Sequence, residues 1–225
     1  MCQSQEVLLR EVVARSGEVA ATRSRRAKVQ SIAVLLNAAT DPGELGLVVG
    51  FLTGEPRQGR FGIGWSTLAA LQPDVPDTAV PELTVRAVDE TLDAIASTTG
   101  AGSVARRRSL LVGLLARATL DEQRFLVRLL TGELRQGALE GIMLEAVAGA
   151  AGVPADAVRR ACMLCGRLPD TAVAAMAGGG ECPGVRGLGA RVAVLLGGAR
   201  WRDTRPDRRW PATALPGDDG HLRSR

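Results

Sequence analysis

Two nearly identical octapeptides stand 78 residues apart: Leu52-Thr53-Gly54-Glu55-Pro56-Arg57-Gln58-Gly59 and Leu130-Thr131-Gly132-Glu133-Leu134-Arg135-Gln136-Gly137. They differ at one position. Each sets an Arg, a Gln and a Gly between two helical stretches. A Gly-ended turn there exposes the free N–H groups of the next helix start, which attract anions. The Arg adds a two-pronged donor suited to a phosphate. Arg57, Gln58, Gly59 and Arg60, and Arg135, Gln136 and Gly137, therefore make two candidate phosphate sites. A third candidate is Gly100-Ala101-Gly102-Ser103 followed by Arg106, Arg107 and Arg108. It offers a Gly-rich loop, a helix start with Ser103 as the expected N-cap, and nearby cations. No Lys-Ser/Thr follows, so it is not a P-loop. Arg23, Arg25, Arg26 and Lys28 hold the corresponding place in the first copy. The plain alternative at every one of these places is an ordinary turn or a solvated basic face. The duplication favours function, because repeated loops can contact repeated phosphates.

Other chemistry is narrowed by scarcity. His221 is the only His and Lys28 the only Lys. That excludes a His-based triad, a His-rich metal site and a P-loop Lys from the body of the chain. No catalytic residue and no metal ligand is assigned. Cys162-Met163-Leu164-Cys165 is a C-x-x-C inside an expected helix with no strand before it. Two small buried thiols are expected there rather than a redox or zinc site. Glu55 and Glu133 recur in the turns, and Glu140 sits at a helix start, where a dipole role suffices. Phe51, Phe125 and Trp65 are expected in the core.

The elements that must position these residues read as helices throughout, with no sustained period-2 alternation. Expected helices run about 4–15 with Ser4 as cap, then from a basic start at Arg23–Lys28 through the apolar run Val29 to Ala39, and from Asp41-Pro42 to near Thr53-Gly54. Others run about 65–71, 82–97, 103–118, 121–130 and 138–151, then from Val153-Pro154 to about Gly166, and a short last one from Pro169. A Pro-rich connection spans Pro73 to Pro81. The Leu-Leu-x-x-Ala-Thr segments 35–40 and 114–119 precede the two octapeptides. The expected architecture is thus all-α: a multi-helix domain over 1–180 with an internal pseudo-twofold repeat of helical hairpins, copies about 23–72 and 102–151.

Composition agrees and adds a split. The chain has 225 residues, 46% hydrophobic and 3% aromatic, with no Tyr. A real core is expected, and a stacking platform for single-stranded bases is not. Residues 1–180 carry nineteen cations and nineteen anions, so the net charge of +4 falls entirely in 181–225. That tail holds four Pro, two of the three Trp and the only His, and is expected to be irregular, basic and disordered. No membrane span and no signal peptide is expected, and the default location is cytoplasmic.

Asp121-Glu122-Gln123-Arg124-Phe125-Leu126 and Leu129-Leu130-Thr131-Gly132-Glu133-Leu134-Arg135-Gln136-Gly137-Ala138-Leu139-Glu140 together resemble the N-terminal DNA-binding domain of ATP-dependent DNA ligases. The family pattern is an apolar pair, then x-Gly-(Lys/Glu)-Leu-Arg-x-Gly-x-x-(Glu/Asp). Gly59, Gly62, Ile63 and Gly64 resemble the partner loop, and Thr99-Gly100-Ala101-Gly102-Ser103 fits as well. The likeness covers about residues 5–177, in a bacterial, actinobacterial-like text. It implies an all-helical domain that grips nicked duplex DNA across the minor groove, in repair, replication or recombination. The contacts it implies are Arg57, Gly59, Gly62 and Gly64, then Gly102, Ser103 and Arg106, then Arg135 and Gly137. In the family a catalytic domain follows, with a Lys-x-Asp-Gly motif. Lys28 does not stand in that motif, so the chain is not expected to self-adenylate. ATP and Mg2+ would belong to the missing catalytic domain, for which a separate ligase chain is a candidate partner. A monomer is expected, and a truncated or frameshifted product past residue 180 would explain the change of text. The rivals are a helical protein-interaction scaffold, a non-functional ligase remnant and, more weakly, a helix-turn-helix regulator.

Overall fold

The computed structural model describes residues 6–59, 61, 82–134 and 137–178, with backbone only at 137 and 138. Ser4, Trp65, the expected helix at 65–71, the Pro-rich connection and the tail from 181 lie outside the described residues. Those described form nine α-helices and no strand.

The chain enters in extended form. Val7 and Leu8 run beside Leu83–Val85 in a single antiparallel bridge between Leu8 and Thr84. Leu9 N–H donates to the Leu83 carbonyl at 2.7 Å, and Val85 N–H to the Val7 carbonyl at 2.9 Å. This pairing moves the first helix. α1 spans Leu9–Ala21 rather than 4–15, because residues committed to the bridge cannot also be helical. α2 spans Arg25–Ala38 and begins within the basic stretch, as expected, because the Ser24 hydroxyl accepts from Ala27 N–H and caps it. The basic residues Arg25, Arg26 and Lys28 therefore sit inside the helix.

α3, Pro42–Thr53, matches its expected bounds: Asp41 caps it, Pro42 opens it and left-handed Gly54 closes it. α4, Val85–Ser97, is capped by Thr84 and starts later than expected for the same reason as α1. α5 spans Ser103–Leu115. Its N-cap is Gly102 at φ 76°, so the expectation that Ser103 caps is corrected. The left-handed turn places Ser103 already inside the helix. α6, Leu120–Thr131, is capped by Thr119, one residue before the expected start. α7 is Gly137–Ala151, α8 Ala155–Cys165 and α9 Leu168–Met176.

One core joins the two halves. Its largest fully buried side chains include Phe51, Leu9, Ile32, Leu36, Leu92, Ile95, Leu111, Leu114 and Leu115. Burying each such side chain contributes about 1.5–3 kcal/mol. α2 packs on α7, α1 on both α2 and α6, α4 on α3 and α5, and α9 on α3, α7 and α8. Two glycines of α3 differ in the room left for a side chain. A Cβ on Gly46 would meet Val173 Cγ2 at 3.6 Å, and one on Gly50 would meet the Glu55 carbonyl at 2.8 Å. Arg25 ties the halves at the surface through a two-bond ion pair with Glu145, at 3.0 and 2.8 Å. Among the described residues no single helix is long and apolar enough to cross a membrane.

Candidate nucleic-acid interface

The two octapeptides fold alike as far as both are described. Gly54 and Gly132 are left-handed, at φ 73° and 77°. Glu55 N–H donates to the Gly50 carbonyl at 2.7 Å, and Glu133 N–H to the Arg128 carbonyl at 2.9 Å. Each pattern is the long-reach bond that closes a helix on a left-handed residue. The threonine hydroxyls match too: Thr53 donates to the Val49 carbonyl at 2.9 Å, and Thr131 to the Val127 carbonyl at 3.0 Å. Pro56 and Leu134, at the one position that differs, are both buried beneath their turns.

After Pro56 the first turn is held from outside. Arg57 Nε donates to both oxygens of Asp89, at 2.9 and 2.8 Å. Arg57 Nη2 lies 2.7 Å from Asp89 Oδ2 and also pairs with Asp93. Gln58 Nε2 donates to Asp89 Oδ1 at 2.7 Å and to Asp93 Oδ1 at 2.8 Å. Asp89 is buried, whereas the Arg57 side chain keeps 49% of its surface exposed. Hydrogen bonding to Asp89, then the nearby charge of both carboxylates against the opposing effect of burial, pushes the Arg57 guanidinium above its ordinary range. One Arg against two Asp leaves the cluster with one negative charge. Gly59 closes the turn at φ 75°, and among the described residues nothing stands within 4 Å of where its side chain would be. A backbone there can be approached closely. Arg60, Gly62 and Gly64 lie outside the described residues, as do Arg135 and Gln136. Gly137 begins α7.

The third candidate is more open. Gly100 and Gly102 have φ of 84° and 76°, and a Cβ at either would meet nothing within 4 Å. Ser103 N–H donates back to the Gly100 carbonyl at 3.2 Å, which closes the loop on itself. Arg107 is tied back by one edge of its guanidinium. Its Nε and Nη2 donate to the Thr98 carbonyl at 3.0 and 2.6 Å, where the cation also meets the C-terminal end of α4. Arg106 and Arg108 are exposed on the first turns of α5. Val104, two residues before Arg106, is 80% exposed.

Asp89 and Asp93 were not legible as site residues. Their spacing carried a signal: carboxylates at i and i+4 share a helix face and repel unless a cation faces them. The C-x-x-C needs a correction. Cys165 is disulfide-bonded, so there are not two thiols; nothing in a helix pattern shows which cysteine meets another. Cys162 is free and half-buried, and burial pushes its thiol up, which makes it a poor nucleophile. Among the described residues no group of His, Cys, Asp or Glu could hold a metal ion. Phe51 and Phe125 are buried as expected.

Residues 71–148 match the family model described as DNA ligase N terminus. A protein named "Probable DNA ligase" from Saccharopolyspora erythraea is 59% identical over 175 residues, covering 78% of this chain and 34% of that protein. Proteins of the same name from Rhodococcus jostii and Mycobacterium marinum are 54% and 51% identical over 175 residues, covering 77% of this chain and 34% and 33% of theirs. The matched part is the N-terminal region of those relatives, so the chain spans about a third of their length. With that likeness laid over an all-helical body, the chain belongs to the DNA ligase N-terminus family.

Proposed function

We propose that this chain is the DNA-gripping module of a DNA ligase, holding nicked duplex through backbone phosphates. The observation that carries the reading is the extended likeness to the N-terminal regions of proteins named as DNA ligases. The geometry supports it in two places. The Gly100–Ser103 loop is open, closes on itself and leads into the exposed Arg106 and Arg108. The Gly59 turn presents a left-handed backbone that no described residue crowds, beside an anchored Arg57. Such contacts read phosphates rather than base edges, so binding is sequence-independent and salt-sensitive. The adenylation chemistry, with ATP and Mg2+, belongs on this reading to a catalytic portion acting beside the module. The module works as a monomer on nicks that arise in repair, replication or recombination, in the cytoplasm.

A helical protein-interaction scaffold is favoured by one observation, the balanced charge of residues 1–180. Titrating the full chain onto labelled nicked, intact and sequence-scrambled duplexes across a salt series separates the two. The module reading expects affinity that falls steeply with salt and ignores sequence. Arg106→Ala should lower it several-fold and reduce the salt slope by about one. No binding at low salt leaves the scaffold.

A further inference from the structure

Asp89 and Asp93 stand in the wrong place for a surface that attracts phosphates. They lie one helical turn apart on α4 and take up Arg57, a cation of the candidate interface. The bonds they make are confined to one side of the guanidinium. Nε and Nη2 donate to the two carboxylates, whereas Nη1 carries none of these bonds and the side chain is half exposed. Gln58 is held by the same pair through Nε2. The Asp89 carboxylate is buried, so it cannot swing away with the Arg into solvent.

We propose that Asp89 and Asp93 are positioning residues for DNA binding: they fix Arg57 by one edge so that the other edge is presented to a backbone phosphate beside the open turn at Gly59. The inference rests on the DNA-gripping reading. A free Arg loses much rotamer freedom when it docks on a phosphate, and an Arg already held in place has lost it beforehand. The opposing effect is Coulombic. Two carboxylates close to a phosphate repel it, and at physiological salt such repulsion reaches about 8 Å. The two effects have opposite signs, so they can be told apart. If the pair only repels, removing a carboxylate tightens binding. If the pair positions, removing one weakens binding even though the protein becomes more positive.

The experiment uses the full chain and nicked duplex at fixed salt. Asp93 is the residue to change, because it is half exposed and its loss leaves no buried charge alone. Asp93→Ala is expected to bind about tenfold more weakly, with an unchanged melting temperature. Asp93→Asn keeps an oxygen acceptor for Arg57 and is expected to recover part of the affinity. In an Arg57→Ala background, Asp93→Ala is expected to cost nothing further, because the carboxylate acts through the Arg. Equal or tighter binding by Asp93→Ala overturns the positioning role and leaves the module reading intact. Failure of the unchanged chain to bind any duplex overturns both.

Discussion

The starts of α3 and α6 are the same sentence written twice with different endings. Each opens on a polar cap with a Glu three residues on: Asp41 with Glu44, and Thr119 with Glu122. In both, the cap side chain accepts from the N–H of that Glu. In the second copy Glu122 turns back, accepting from Thr119 N–H at 2.8 Å and from its hydroxyl at 3.0 Å, a closed capping box. In the first copy Glu44 turns outward, and Val7 N–H donates to it at 3.2 Å. Both glutamates are buried, at 3% and 1% exposure. One helix start thus uses its Glu to finish the helix, and the other uses it to hold the incoming chain. Duplicated sequence fixes the backbone of a turn but leaves a side chain free to serve whatever neighbour arrives.

The comparison can be broken most strongly at the other end of the helices. Gly50 and Arg128 are equivalent positions whose carbonyls both accept the long-reach turn bond. A Cβ fits at 128 but would strike the Glu55 carbonyl at 50. Gly50→Ala should therefore cost roughly 3 kcal/mol in a denaturant melt, whereas Arg128→Ala should cost almost nothing. Equal effects would show that the two turns are not packed differently. Next comes Glu122→Ala, which strips Thr119 N–H of its acceptor and should cost about 2 kcal/mol. Asp41→Ala removes one cap bond and should cost about 1 kcal/mol by the same measurement.

The smallest effect is one of pH. Burial raises the Glu44 carboxyl above its ordinary 4.5, against the Val7 N–H and Arg86, which favour the charged form. A folded value above the unfolded one favours the protonated fold. This contribution is therefore complete below pH 4.5 and is lost as pH rises through the raised value. Glu44→Gln keeps an acceptor oxygen for Val7. It should flatten the stability profile between pH 4.5 and neutrality relative to the unchanged chain. A profile parallel to the unchanged chain would remove Glu44 as its source.

Helix identity was largely legible because the apolar spacing and turn residues agree locally. α3 lies where it was expected, since Asp41-Pro42 and Gly54 are strong local start and stop signals. The starts of α1 and α4 were misplaced together, and for one reason. The Leu8–Thr84 bridge joins residues far apart in sequence, and no window of local pattern contains both. The candidate site was legible as turns and glycines, which depend on backbone conformation. Its charge balance was not. Whether Arg57 faces solvent or Asp89 depends on where α4 lies, and Arg107 was likewise claimed by the Thr98 carbonyl.

That same bridge sets an order of events. Leu9 and Val85 anchor backbone bonds across the whole first repeat, so closing it is a long-range step of the kind that slows folding. A chain emerging from the ribosome can form α2 and α3 from local contacts as they appear. The entrance to α1 finds its bridge partner only after residue 85 has been made. Val7 and Leu9, both buried in the finished fold, gain their backbone partners at that point. The entrance to α1 is therefore completed only once the start of α4 has emerged during synthesis.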